Sequence, residues 1–139
     1  MSEAKLTAAQ LRRVKKAISA VPYAALLGIE LEEVGIGHAT LRLPFKKNLT
    51  QNHGVVHGGA VASLVDTAMA IAIIPLLQPR ERVTTVDLTI SYLRPVTSGV
   101  MSATAKVVRH GRRLIVVSAD VVNSSQTLTA TALSTYIRI

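Results

Sequence analysis

Between Ala60 and Leu77 the chain carries a single ionisable side chain, Asp66. A segment that is apolar almost all the way round cannot lie on a surface, so it must be a helix covered on most sides by the rest of the chain. Asp66 in mid-run and Pro75 near the end argue against a membrane span, and we read a buried core helix over about 58–77. His57-Gly58-Gly59 stands directly before it. The glycine pair places bare backbone N–H groups at a helix N-terminus, where partial positive charge gathers. A carboxylate in apolar surroundings is costly and needs a reason to be there. An oxyanion site and a carboxylate are the two parts that hydrolytic acyl transfer requires.

The remaining segments must supply the cover. Thr7 caps a helix through about Ser19, with Leu11, Val14 and Ile18 on one stripe and Pro22 closing the region; this is a basic N-terminal helix within 1–22. Strands are expected near Ile29–Val34 and His38–Leu43, then a long loop from Pro44 to Val56. After the core helix, Val86, Leu88, Ile90 and Tyr92 alternate with Thr85, Asp87, Thr89 and Ser91, a clear period-two strand. Val100–Arg109, Leu114–Val122 and Leu128–Arg138 follow, with breaks at Gly99, Gly111 and Asn123-Ser124-Ser125. The short last connections make antiparallel hairpins. The economical arrangement of 139 residues is one α+β domain, an antiparallel β-sheet wrapped around the long central helix.

Composition narrows the chemistry. There is no cysteine, which excludes disulfides, thiolate metal sites and a cysteine nucleophile. His38, His53, His57 and His110 show no zinc spacing, so no metal site is expected. The net charge of +8 gathers at Arg12, Arg13, Lys15 and Lys16, read as a solvated helix face, and at Arg109, Arg112 and Arg113 around Gly111. Such charge suits an acidic surface or a phosphorylated small ligand. Aromatic residues at 3% provide no stacking platform for single strands, so nucleic acid is the least favoured partner. The first twenty residues lack the continuous apolar stretch of a secretory signal, and a cytoplasmic location is expected.

Three stretches, in order, resemble the hotdog-fold acyl-CoA thioesterases, most closely the PaaI-like type. They are Gly54-Val55-Val56-His57-Gly58-Gly59 followed by Asp66; Thr85 through Pro95; and Gly99 with the Arg109-His110-Gly111-Arg112 turn. The resemblance covers about Leu26 to the C-terminus. It implies that the Gly58 N–H holds the thioester oxygen and that Asp66 is nucleophile or general base. It also implies that Gln51, six residues before His57, orients the thioester or water, with Asn52 beside it as a substitute, and that Thr85 supports Asp66. Ala70 departs from relatives with Ser or Thr there. The basic turn (Arg109, Gly111, Arg112, Arg113) would grip the coenzyme A nucleotide. No metal or redox cofactor is implied, coenzyme A being part of the substrate.

Gly58 and Asp66 are eight residues apart, roughly 12 Å along a helix. One carbonyl cannot touch both, so a shared reaction needs them from different chains across a two-fold axis. A homodimer is expected, and the family often pairs dimers into tetramers. Plainer readings stand beside these roles. Asp66 can be a structural residue bonded to an amide or a base, His57 a histidine that shapes the turn, the glycines a tight helix entry, and the arginines a solvated hairpin tip. The alternatives to a thioesterase are a hotdog dehydratase, whose His–acid spacing is absent, and a non-catalytic acyl-CoA or acyl-carrier binding module, which would not need Asp66.

Overall fold

The computed structural model describes residues 5–139. Its order is α1 (Ala8–Ser19), α2 (Pro22–Leu27), β1 (Glu30–Gly35), β2 (His38–Pro44), α3 (Gly58–Ile73), β3 (Val83–Tyr92), β4 (Val100–His110), β5 (Leu114–Val122) and β6 (Leu128–Arg138). The strands form one antiparallel sheet in the order β1-β2-β4-β5-β6-β3. The sheet curls around α3, which packs chiefly on β2, β4 and β5. Strict alternation drives this wrapping. In β2, Ala39, Leu41 and Leu43 are fully buried, and Ala103, Ala105, Val117 and Val121 continue the same inner face. Leu64, Val65, Ala68, Met69, Ala72 and Ile73 of α3 have almost no exposure. Each large aliphatic side chain buried this way stabilises the fold by about 1.5–3 kcal/mol. The stretch Gly58–Leu76 is long and apolar enough to cross a membrane by composition, yet here its side chains form the core of an α+β hotdog domain.

Four local features differ from the sequence-based expectations. Pro22 does not merely close the first helix; it opens α2 at the first helical position, where its missing N–H costs nothing, and Gly28 ends α2 at φ +90°. The segment 44–56 is not a free loop. It holds two single 3-10 turns, Lys47–Leu49 and Asn52–Gly54, and a bridge between Thr50 and Val56. Arg13 is not on a solvated face: it donates to the carbonyls of Ile74 (3.1 Å) and Leu77 (2.9 Å), while Gln10 donates to that of Pro75 (3.2 Å). These carbonyls lie in and just after the 3-10 turn Ile74–Leu76 that ends the α3 region, so α1 caps the helix it packs on.

The fourth difference is a β-bulge. Thr85 pairs with Tyr136 and Asp87 pairs with Thr135, so Val86 is the extra residue. Unbroken alternation would bury Val86 and turn Thr85 out. With the bulge Val86 is 56% exposed and Thr85 turns inward beside Tyr136. The Asp87 carboxylate accepts the Thr135 N–H at 2.9 Å and Ser134 donates to the Asp87 carbonyl at 2.6 Å, so side chains replace ladder bonds that the bulge disrupts.

Candidate active site

Asp66 projects from the middle of α3 toward the β3–β6 pair. Thr85 Oγ1 donates to Asp66 Oδ1 at 2.9 Å, and Tyr136 Oη lies 2.5 Å from the same oxygen and 2.8 Å from the Asp66 carbonyl oxygen. Oδ2 is engaged by neither donor. The carboxylate is therefore fixed in orientation on one side and offers its other oxygen. Tyr136 is 2% exposed, and its phenol is pushed far above the ordinary range, first by burial and then by its bond to Asp66 and the neighbouring negative charge. It stays a neutral donor at any physiological pH. Asp66 lines two small clefts, of about 290 and 210 Å³. One runs toward α1 and one toward α2.

The start of α3 is a second centre. His57 is its N-cap, and its Nδ1 accepts the Gly59 N–H at 2.7 Å. That bond makes Nδ1 the acceptor that caps the helix, which fits the turn-shaping reading of His57. The Gly58 N–H, in the first turn, has no intrahelical acceptor. Gly58 borders a cavity of about 380 Å³ together with Gln51, Tyr92, Arg94 and Val96. Tyr92 donates to the Gly58 carbonyl at 2.8 Å, and a Cβ on Gly58 would stand 3.2 Å from the Tyr92 ring. A side chain at position 58 would therefore need the Tyr92 ring to give by a few tenths of an ångström. Gln51 lines this cavity; Asn52, in the following 3-10 turn, is not among its walls.

Within one chain the two centres do not share a cavity: Gly58 and Gln51 border one, Asp66 and Thr85 another. The basic turn lies farther off. Arg138 clamps it by donating to the Gly111 carbonyl at 3.0 Å and to that of Arg112 at 2.5 Å, and pairs with Glu81 at 3.0 Å. Glu81 follows the C-terminal end of the α3 region, so the turn and Gly58 stand at opposite ends of the core helix. Arg109, Arg112 and Arg113 are exposed there. Among the described residues no three His, Asp or Glu side chains come together as a metal site.

Tyr136 is the site residue that sequence reasoning missed. The available signal was a large polar side chain at an inward position, in register with Ala130, Ala132 and Ser134 of β6. Nothing in the sequence indicated where its hydroxyl would go.

Comparison with known proteins identifies the class. The thioesterase superfamily matches residues 53–130, more than half of the chain, and the chain belongs to that superfamily. The match spans the opening of α3, Asp66, Thr85 and the basic turn. The chain is 28% identical over 131 residues to the medium/long-chain acyl-CoA thioesterase YigI of Escherichia coli, covering 84% of each. Among solved structures, it is similar to the conserved protein PA5202 from Pseudomonas aeruginosa, at 31% identity and TM-score 0.84, covering 89% of this chain and 98% of that one. It is also similar to the Escherichia coli PaaI protein of the phenylacetic acid degradation operon, at 26% identity and TM-score 0.87, covering 94% and 93%. The protein is a PaaI-like hotdog hydrolase of the thioesterase class.

Proposed function

We propose that the protein hydrolyses an acyl-CoA thioester to a free carboxylic acid and coenzyme A at a site shared by two copies of the chain. The observation that carries this reading is the state of Asp66, the only charge on an apolar helix, with Oδ1 held by Thr85 and Tyr136 and with clefts on both sides. A purely structural carboxylate would be enclosed by its partners; this one opens onto cleft space.

The N–H of Gly58 from one protomer donates a hydrogen bond to the thioester oxygen as negative charge develops there, an interaction of the kind worth about 3 kcal/mol to the transition state. Asp66 of the other protomer acts through Oδ2, either by removing a proton from water or by attacking the carbonyl carbon. Gln51, which borders the Gly58 cavity, orients the thioester or water, and His57 holds the turn. Thr85 and Tyr136 keep the carboxylate aimed. No metal or redox cofactor is needed for this chemistry.

The assembly follows from geometry. Gly58 and Asp66 are roughly 12 Å apart along α3, and β3, which carries Thr85, is an unpaired sheet edge. Pairing β3 with its copy across a two-fold axis makes a dimer with two composite sites, and dimers of this kind assemble further into dimers of dimers. Across that axis the exposed arginines of the basic turn have a route to the nucleotide of coenzyme A that they lack within one chain. We place this activity in the cytoplasm.

A thiol-release assay over aryl and aliphatic acyl-CoAs, with wild type beside Asp66→Asn, tests the reading. Turnover should fall by at least about a thousandfold in the variant, the scale on which loss of an essential catalytic group is felt, with the oligomer intact. Retained turnover would sink the assignment. Unchanged acyl-CoA binding without turnover in wild type would favour the binding module.

A further inference from the structure

Side chains of β3 bond α3 at two places, one in each of the two centres. Near the start of the strand Thr85 donates to Asp66 Oδ1 at 2.9 Å, and at its last residue Tyr92 donates to the Gly58 carbonyl at 2.8 Å. Thr85 and Tyr92 are seven residues apart. That separation is odd, so in an unbroken strand they would point to opposite faces. The bulge at Val86 removes the conflict. Beyond it Leu88 and Ile90 pack on the core and Tyr92 continues on their side, while Thr85 before it also faces the helix.

We infer that Tyr92 is a positioning residue for the oxyanion end of the site: its hydroxyl locks the Gly58–Gly59 peptide and so fixes the direction of the Gly58 N–H. This rests on the thioesterase reading, in which that N–H meets the thioester oxygen, and adds Tyr92 to the residues that serve it. Gly58 lies between two peptide planes, and both are held. The plane before it carries the Gly58 N–H; its carbonyl, that of His57, accepts the N–H of Ala60 at 2.9 Å and that of Val61 at 3.3 Å. The plane after it is held at both ends. Tyr92 donates to its carbonyl, and its N–H, that of Gly59, donates to His57 Nδ1 at 2.7 Å.

The composition of the turn makes such a brace necessary. Glycine is among the poorest helix formers because it has the most backbone freedom to lose. A helix that opens with Gly58-Gly59 frays at its first turn unless side chains hold it, and a frayed turn offers no fixed donor. A developing oxyanion is stabilised by donors that are aimed before the charge appears. Tyr92 can aim this one because its own backbone is anchored elsewhere. It pairs with Ala130 of β6, and the N–H groups of Leu93 and Arg94 both donate to the Thr129 carbonyl, at 2.8 and 3.1 Å.

The test is Tyr92→Phe, which removes one oxygen from a ring that is 55% exposed and leaves the ring in place. Two quantities are read: kcat and KM for an acyl-CoA that wild type turns over, and hydrogen exchange of the Gly59 and Leu64 amides by NMR. The kcat should fall about tenfold with KM within about twofold of wild type, since displacing a reacting group by about 1 Å costs about a hundredfold and a loosened turn is displaced for part of the time. Exchange at Gly59 should quicken about tenfold, the scale of one hydrogen bond, with that of Leu64 in the buried middle of α3 unchanged. An unchanged kcat would overturn the inference, whether or not KM rises; a rise in KM alone marks a residue that binds substrate and transition state equally. A slower reaction with unchanged Gly59 exchange would overturn it too. If wild type turns over no acyl-CoA, the thioesterase reading fails, and amide exchange still decides the brace: faster exchange at Gly59 supports it, and equal exchange refutes it.

Discussion

The hydroxyl of Tyr136 joins the fold to the site, and Tyr136→Phe isolates it. The ring remains in its 2% exposed position, so the substitution removes one oxygen and opens no cavity of consequence. The oxygen it removes lies 2.5 Å from Asp66 Oδ1 and 2.8 Å from the Asp66 carbonyl. A hydrogen bond to a charged group is worth about 1.5–3 kcal/mol, so stability should fall by about that amount near neutral pH. The pH dependence carries a sign. The folded-state pKa of Tyr136 is raised above the ordinary phenol value of 10.0, so its contribution is complete below that pH and is lost as the pH climbs above it. There the unfolded chain ionises this phenol while the folded chain does not, and wild type loses about 1.4 kcal/mol per pH unit from this group. The variant lacks that slope. Urea denaturation at fixed protomer concentration should therefore show a gap of about 1.5–3 kcal/mol near pH 8, narrowing by about 1.4 kcal/mol near pH 11. Turnover should fall by at least about tenfold with KM little changed, because a carboxylate held by Thr85 alone is less well aimed. A gap below about 0.5 kcal/mol near pH 8, or one that does not narrow, would refute the claim that this hydroxyl secures Asp66.

Two further outcomes bear on the assembly and the nucleotide. Val86→Pro removes a backbone donor at the bulge of the free edge strand β3; light scattering should show monomers, with turnover lost because each site needs both chains, and a fully active monomer would defeat the composite site. Arg112→Ala combined with Arg113→Ala should raise KM several-fold for acyl-CoA but not for the matching acyl-pantetheine, and the acyl-CoA KM of wild type should rise with salt; equal effects on both substrates would remove these arginines from nucleotide binding.

Much of the molecule was legible because it follows from short-range patterns. The run from Ala60 to Leu77 requires a surrounded helix whatever lies around it, and the alternation in β2, β4, β5 and β6 specifies strands with one buried face. The isolation of Asp66 and the glycines before the helix marked both halves of the candidate site. What was missed has a common cause. Tyr136 reaches Asp66 over 70 residues of sequence, Arg13 reaches Ile74 over 61, and no local pattern encodes either pairing. The residues of β3 read equally well with Val86 inward, and Pro22 ends one helix while opening the next.

The sequence alone determined the α+β class, the central helix, the single carboxylate on it and the bare amides at its start. Those features depend on side-chain polarity and backbone geometry within a few residues. Only the tertiary structure decided that Val86 bulges from β3 and that Thr85 therefore faces inward beside Tyr136. It also decided that both hydroxyls meet on one oxygen of Asp66, and that α1 bounds the cleft beside it. A carboxylate's orientation is set by whichever donors the packed sheet brings within 3 Å of it, and that register is fixed by the burial of every strand at once.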